Sequence, residues 1–417
     1  MTWLVLAGLF AASPDVVFVS VDTLRADHLG CYGYELNTSP NIDRFAEDAL
    51  VFDNCVCEVP LTMPSFGSMM TSRFPRTTGT TRNGLPMPAT VPTVAEQFRD
   101  AGYQTFCVQS NWTLKRELSG LDRGFEIYED DFHTRRWGFI KSERYADEVT
   151  AIAVELLAAR DPDRPLFCWI HYSDPHAPYR FHSAHNPAGD RRLMADAAYK
   201  IARKYDSEVA FMDHHIQAVF DAIPQDAMVL FVADHGESLY EHDYLGHGRR
   251  IYQTGLHIPL MVRAPGIEPG RTAVPARGVD IGPTLLGLAG LPPAPGMEGV
   301  DVVNSALPGD RPRVIETYGG AVPQMPGAEA LMADRPPMRQ GVLVGPWKLI
   351  LADQAELFNL DDDPKELTDR ACEQRERTAE LRALVEAWDA ANPRGQAEEA
   401  ALSEDDIEAL ESLGYVE

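Results

Sequence analysis

Apolar residues along the chain fall into two patterns. Short unbroken runs occur at 15–21 (DVVFVSV), 103–109, 166–172 (LFCWIHY), 228–233 (MVLFVA) and 258–264. Runs without alternation suit strands of a parallel sheet that is covered on both faces. Between them, apolar residues recur every three or four positions, as helices require. Ser39 as cap and Pro40 at the first position open one helix, which carries Ile42, Phe45 and Ala46 inward. Others are predicted over 93–101, 143–159, 193–222 and 279–289. Beyond residue 311 the pattern changes to short strands near 313–318, 340–344 and 347–352, with a charged helix near 373–391. The expected architecture is α/β, a large mixed and mostly parallel sheet flanked by helices over 15–310. A smaller α+β domain over 311–417 should follow.

One segment departs from plain core patterning. Residues 58–79 (EVPLTMPSFGSMMTSRFPRTTG) begin extended and turn helical. Pro64 suits a first helical position, and Phe66, Met69, Met70 and Phe74 recur at helical spacing. Thr62 then stands just ahead of a helix N-terminus, where free N–H groups and the helix dipole favour an anion. Its hydroxyl could cap the helix or attack an anionic ester.

Three of the predicted strands run directly into polar groups: Asp22 after the first, His176 after 166–172, and Asp234–His235 after 228–233. Strands of one parallel sheet share an edge, and open α/β sheets hold their ligands at that edge. Two hard oxygens and one imidazole suit Mn²⁺ or Zn²⁺, with Ca²⁺ or Mg²⁺ less favoured. With Thr62 as a further ligand, such an ion would lower the hydroxyl pKa enough to hold an alkoxide.

Charge narrows the choice of partner. The 417 residues carry 63 acidic against 37 basic side chains, a formal charge of −26. That field opposes nucleic acid and anionic membrane surfaces. An anionic substrate therefore needs local positive charge, which a metal supplies. Residues 3–12 (WLVLAGLFAA) are too short to span a bilayer. With the small residues and Pro14 behind them they read as a secretory signal over 1–14, so export to a periplasmic or extracellular space is expected; a cytoplasmic N-terminal strand is the alternative. Six cysteines are too few for a disulfide framework in a chain this long, and buried inert thiols are expected for all of them.

VDTLRADHLGCYGY with TSPNIDRFA, LTMPSFGSMMTSRFPRTTG, HYSDPHAPY, ADHGESLYEHDYLGHG, HIPLMVRAPG, VDIGPTLLGLAGLP, ELFNLDDDPKEL and LESLGYVE follow one another in this order. Together they resemble the sulfatases of the alkaline-phosphatase superfamily over nearly the whole chain from about Val16. The resemblance implies that Asp22, Asp234 and His235 hold a divalent metal and that Thr62 is the nucleophile. It implies that Asn83 and His176 contact the substrate anion. His247 falls where the family usually has a lysine on the anion or leaving group, so His176 and His247 are candidates for both binding and catalysis.

Departures from the family pattern accompany the match. Sulfatases carry Cys-x-Pro-x-Arg, with the cysteine oxidised to formylglycine; here the segment is Thr62-Met63-Pro64-Ser65-Phe66. Formylglycine is excluded, and Phe66 replaces the arginine that braces the nucleophile. Thr23 replaces a second metal-binding aspartate. An unmodified threonine nucleophile is similar to that of phosphoethanolamine transferases and nucleotide phosphodiesterases. The expected function is metal-dependent hydrolysis of a sulfate or phosphate ester, on a small-molecule or glycan anionic substrate, without an integral membrane span. The alternatives are a phosphoryl-type transferase and a catalytically silent relative that binds an anionic glycan or a partner protein. Each site residue also has a plainer reading: Asn83 before Gly84 as a turn, His176 between prolines as a brace, His247 as a loop histidine. Asp27 and Glu237 are candidates for orienting ligands. Asp361 to Asp363 lacks calcium-loop spacing and reads as a solvated acidic turn.

Overall fold

The computed structural model of the chain describes residues 13–131, 135–136, 139–140, 143–189, 197–319, 339–397 and 406. The predicted signal segment, except its last two residues, and the closing LESLGYVE lie outside the described residues.

Eight strands form the main sheet: β1 (Val16–Val21), β2 (Leu50–Phe52), β3 (Gln104–Val108), β4 (Ile127–Glu129), β5 (Leu166–Tyr172), β6 (Met228–Ala233), β7 (Leu260–Arg263) and β8 (Gly270–Thr272). Their spatial order is β8-β2-β7-β6-β1-β5-β3-β4. The five strands from β6 to β4 are parallel, whereas β7 runs antiparallel to both β6 and β2. The central strands β1 and β5 are buried at every position, which is why they read as unbroken apolar runs. The short strands β2, β4 and β8 lie toward the edges, and the patterning passes over them.

Helices α1 (Pro40–Glu47), α2 (Thr62–Thr71), α3 (Val94–Asp100), α4 (Ala146–Ala159), α5 (Ala197–Ala222) and α6 (Ile281–Leu288) accompany this sheet. Thr93 and Glu96 close a capping box at the start of α3, satisfying two end groups reciprocally. Pro40 opens α1 as expected. Ser39 is the N-cap residue as expected, but its hydroxyl accepts from Gly30 N and donates to Asp43 and makes no capping bond.

Four further strands make an antiparallel sheet in sequence order: β9 (Arg313–Glu316), β10 (Gln340–Val344), β11 (Trp347–Leu351) and β12 (Ala355–Asn359). Helix α7 (Arg375–Ala391) packs beside them. Strand alternation explains the packing. Val314, Val342, Leu349 and Leu357 face Leu381 and Val385 of α7, while Ile315, Leu343, Ile350 and Phe358 join the main core. The small sheet is thus a layer between the helix and the α/β body.

The expectation of buried thiols holds for Cys55, Cys57, Cys107 and Cys168 but not for all six. Cys372, in a turn, is exposed, and Cys31, in the short 3-10 helix Gly30–Tyr32, is half-buried; neither lies in a strand of the sheet.

Candidate active site and metal centre

β1 lies between β5 and β6 with Val21 opposite both Tyr172 and Ala233. The next residue on each parallel strand therefore leaves the sheet at the same level, and Asp22 emerges beside Asp234. Asp22 N donates to Tyr172 O at 2.8 Å and Asp234 N to Val21 O at 3.3 Å, continuing the ladder past the strand ends. More than two hundred residues of separation are closed by register alone.

Ligand atoms of Asp22, Asp234 and His235 lie within 4.8 Å of one another, and all three side chains are fully buried. Asp22 Oδ2 accepts from Asn111 Nδ2 at 2.6 Å, while Oδ1 has no partner among the described residues. Asp234 Oδ1 accepts from Thr23 N and His235 N at 3.1 and 2.7 Å, and Oδ2 is likewise unpartnered. His235 Nδ1 donates to Gly236 O at 2.9 Å, an assignment that leaves the lone pair on Nε2. That nitrogen lies 3.7 Å from Asp22 Oδ1 and 3.4 Å from Asp234 Oδ2. Burial raises the Asp22 carboxyl to about 6 and pushes Asp234 well above its ordinary value, with the Asp22 charge adding to it. Burial and nearby His247 hold His235 well below 6.5, hence neutral. Two carboxylate oxygens and an imidazole lone pair face one point without hydrogen-bond partners of their own apart from Thr62 at His235. A divalent cation fits that donor set.

Thr62 is not ahead of α2 but its first residue; the N-cap is Leu61, and Pro64 takes the third position. The predicted boundary is corrected by two residues. Proline is tolerated throughout this first turn, where N–H groups lack intrahelical acceptors. The capping role for Thr62 falls away, since its hydroxyl lies 3.4 Å from His235 Nε2. Capping is done from a distance by Asn83, whose Oδ1 accepts from Met63 N at 2.9 Å. Asn83 Nδ2 is buried without a partner among the described residues. Ser65 Oγ donates to Asp234 O at 2.7 Å and ties α2 to the end of β6.

The two other predicted histidines join this centre. The His247 ring lies 4.5 Å from that of His235 and 5.3 Å from that of His176. Buried Glu237 braces His247 through Nδ1 at 3.1 Å, and Glu143 Oε1 lies 2.6 Å from His176 Nδ1. His247 is only 8% exposed, so it is not a solvated loop histidine. Of the two acidic candidates for orienting ligands, Glu237 orients His247. Asp27 instead pairs with Arg25, whose Nη1 donates to Glu237 O at 3.0 Å.

Phe66 is fully buried, one turn beyond Thr62 on α2. Its ring lies 5.2 Å from Trp169 and meets the His171 ring edge-on at 4.8 Å. Aromatic packing fills the position where the family pattern has arginine. Thr23 adopts φ 53°, a conformation a β-branched residue seldom takes, and there its amide reaches Asp234. Asp363 accepts from Leu367 N and Thr368 N in an exposed acidic turn, as its spacing predicts.

Sequence reasoning missed Asn111, Glu143 and His171. Asn111 holds Asp22. His171 Nδ1 lies 3.1 Å from Ser20 Oγ and its Nε2 3.8 Å from Asp22 Oδ2; burial lowers its pKa to about 3. The one available signal was a histidine inside the otherwise apolar run LFCWIHY.

Comparison with known proteins accords with this geometry. The sulfatase family model matches residues 14–291. Choline-sulfatase of Rhizobium meliloti is 24% identical over 94% of this chain and 85% of its own. Human arylsulfatase A is 25% identical over 71% of this chain and 68% of its own. Among solved structures, a putative sulfatase from Bacteroides fragilis superposes with a TM-score of 0.74 at 18% identity, covering 92% of this chain and 98% of that one. A protein solved with its substrate D-glucosamine-2-N,6-O-disulfate has a TM-score of 0.74 at 19% identity, over 91% and 98% of the two chains. With two-thirds of its length matched by the family model and its strand ends converging on one acidic, histidine-lined centre, the chain belongs to the sulfatase family of sulfuric ester hydrolases.

Proposed function

We propose that this chain hydrolyses the sulfate ester of a small molecule or glycan through attack by Thr62, with one divalent ion held by Asp22, Asp234 and His235. The observation that carries the reading is the pair of buried, unpartnered oxygens, Asp22 Oδ1 and Asp234 Oδ2. They converge on His235 Nε2 within reach of the Thr62 hydroxyl. When bound, a Zn²⁺ or Mn²⁺ ion supplies Lewis-acid charge that favours the ionised hydroxyl and the substrate anion.

The chain's own residues do the rest. α2 holds Thr62 Oγ1 rigidly, anchored by Ser65 at Asp234 O and by Asn83 at Met63 N. Thr62 Oγ1 gives up its proton to water, and the Oγ1–sulfur bond forms as the bond from sulfur to the ester oxygen breaks. A proton from His247 or His176, each braced by a carboxylate, neutralises the departing oxygen. Water then attacks the sulfur of O-sulfo-Thr62, releasing sulfate and restoring the hydroxyl. Asn83 Nδ2 is a buried donor suited to a sulfate oxygen. Phe66 favours the silent-relative reading, but a protein that only binds has little need of Asp22, Asp234, His235 and Thr62 in this arrangement. Export directed by residues 1–14, and a smaller C-terminal α+β domain over 311–417, are part of the same proposal.

Aryl sulfates, phosphate monoesters, phosphodiesters and phosphonates assayed with added Mn²⁺ or Zn²⁺ test it. Metal-dependent release of sulfate is expected. Turnover of phosphate esters alone would overturn the sulfate assignment, and turnover of none would favour the silent reading.

A further inference from the structure

A second set of ligating side chains lies outside the centre just described. Beyond β5 the chain runs from 173 to 182, carrying His176, and passes against α5. Asp174 sits near the start of this loop, His182 at its end and Glu208 on α5. One ligand atom from each lies within 4.8 Å of the others. Asp174 is 5% exposed and Glu208 3%, whereas His182 is half-buried, leaving a solvent side from which an ion could enter.

The donors are held in place without being satisfied. Asp174 Oδ2 accepts from Ala146 N at 2.8 Å. Glu208 Oε1 accepts from Arg180 N at 2.6 Å, but Oε2 is buried with no partner among the described residues. His182 N donates to Ser207 Oγ at 3.0 Å, and its ring stacks on Phe211 at 4.0 Å. His182 Nε2 is likewise buried and unpartnered among the described residues. No lysine or arginine among the described residues pairs with either carboxylate; the nearby Arg180 guanidinium instead lies over the Tyr145 ring at 5.4 Å. Burial pushes the Asp174 carboxyl up to about 8 and Glu208 well above its ordinary value, and it lowers His182 to about 4. Without a cation, two carboxyls so deeply buried hold their protons. An unpartnered neutral imidazole nitrogen beside them completes an N/O donor set suited to Zn²⁺ or Mn²⁺.

We propose that Asp174, His182 and Glu208 form a second divalent-cation site that takes Zn²⁺ or Mn²⁺ and pins both ends of the His176 loop to α5. The site is separate from that of Asp22, Asp234 and His235, so either can fail without the other. The full chain is stripped with chelator, reloaded with Zn²⁺, desalted and analysed for zinc per chain. Two equivalents are expected in the wild type and one in Glu208→Gln, His182→Ala or Asp234→Ala. None is expected when Asp234→Ala is combined with Glu208→Gln. Zinc content unchanged by Glu208→Gln and His182→Ala would overturn the proposal. Wild-type crystals grown with Zn²⁺ decide the matter even if a variant misfolds. An anomalous peak between Asp174, His182 and Glu208 supports the site. A map with no peak there, whether or not one appears at Asp22, means that the two carboxyls stay protonated and the proposal fails.

Discussion

Phe66→Ala separates a packing role from a catalytic one at the position where sulfatases carry arginine. The ring is fully buried, 5.2 Å from Trp169 and 4.8 Å from His171. Truncation of a buried phenylalanine costs about 3–5 kcal/mol through lost transfer energy and the cavity left behind. The two ring contacts, at about 0.5–1.5 kcal/mol each, place this site in the upper part of that range. A loss of about 4 kcal/mol is a large share of the ~5–15 kcal/mol that stabilises a typical domain. Phe66→Leu, which keeps most of the volume, should cost about 1.5 kcal/mol. Urea unfolding with Mn²⁺ or Zn²⁺ present, followed by tryptophan fluorescence, gives both values if the slopes remain equal. Below the unfolding midpoint, Phe66→Leu should keep most of its turnover, because the ring only supports His171 beneath Asp22. If Phe66→Ala costs less than about 1 kcal/mol while turnover collapses, the ring touches substrate and the packing account is wrong.

Three further outcomes follow from the same geometry. Asp234→Asn should weaken metal binding by more than the ~10–100-fold typical of outer-shell changes, read by calorimetric titration with Zn²⁺, while the circular dichroism spectrum is unchanged. Glu237→Gln should lower kcat by less than the about 100-fold cost of removing a general acid, and alter the pH profile, because it unbraces His247 without removing it. Burial pushes Glu58 up to about 7 from 4.5, so its contribution to stability is full below pH 4.5 and is lost as pH rises through 7. Glu58→Gln lacks that loss, and its advantage over the wild type should grow across this window to about 3 kcal/mol in thermal or urea unfolding.

The strands that carry the site were legible because both their faces are buried. β5 and β6 run over the very residues their apolar runs mark, and shared register then brings Asp22 beside Asp234. Strands β2, β4 and β8 have three residues each, too short for any period to register. The start of α2 was misplaced because Pro64 is tolerated two positions later in the first turn, and the first-turn amide of Met63 is bonded by Asn83 rather than by the helix's own N-cap. The family resemblance supplied roles for Asn83, His176 and His247 that no local pattern contains. Asn111 lies outside every predicted element and Glu143 at the head of the helix predicted over 143–159, and neither stood out because their contacts at Asp22 and His176 depend on tertiary placement alone. Asp174, His182 and Glu208 converge only because the loop after β5 folds back against α5.

The role of Thr62 is tested most directly by quenching the enzyme during turnover of an aryl sulfate and mapping the peptide that carries residue 62 by mass spectrometry. The account predicts one added sulfo group on that peptide, on Thr62, in the wild type. Thr62→Ser should show the same adduct on serine with substantial turnover, and Thr62→Ala no adduct and almost no turnover. Near wild-type turnover by Thr62→Ala would contradict the account and leave water as the attacking group.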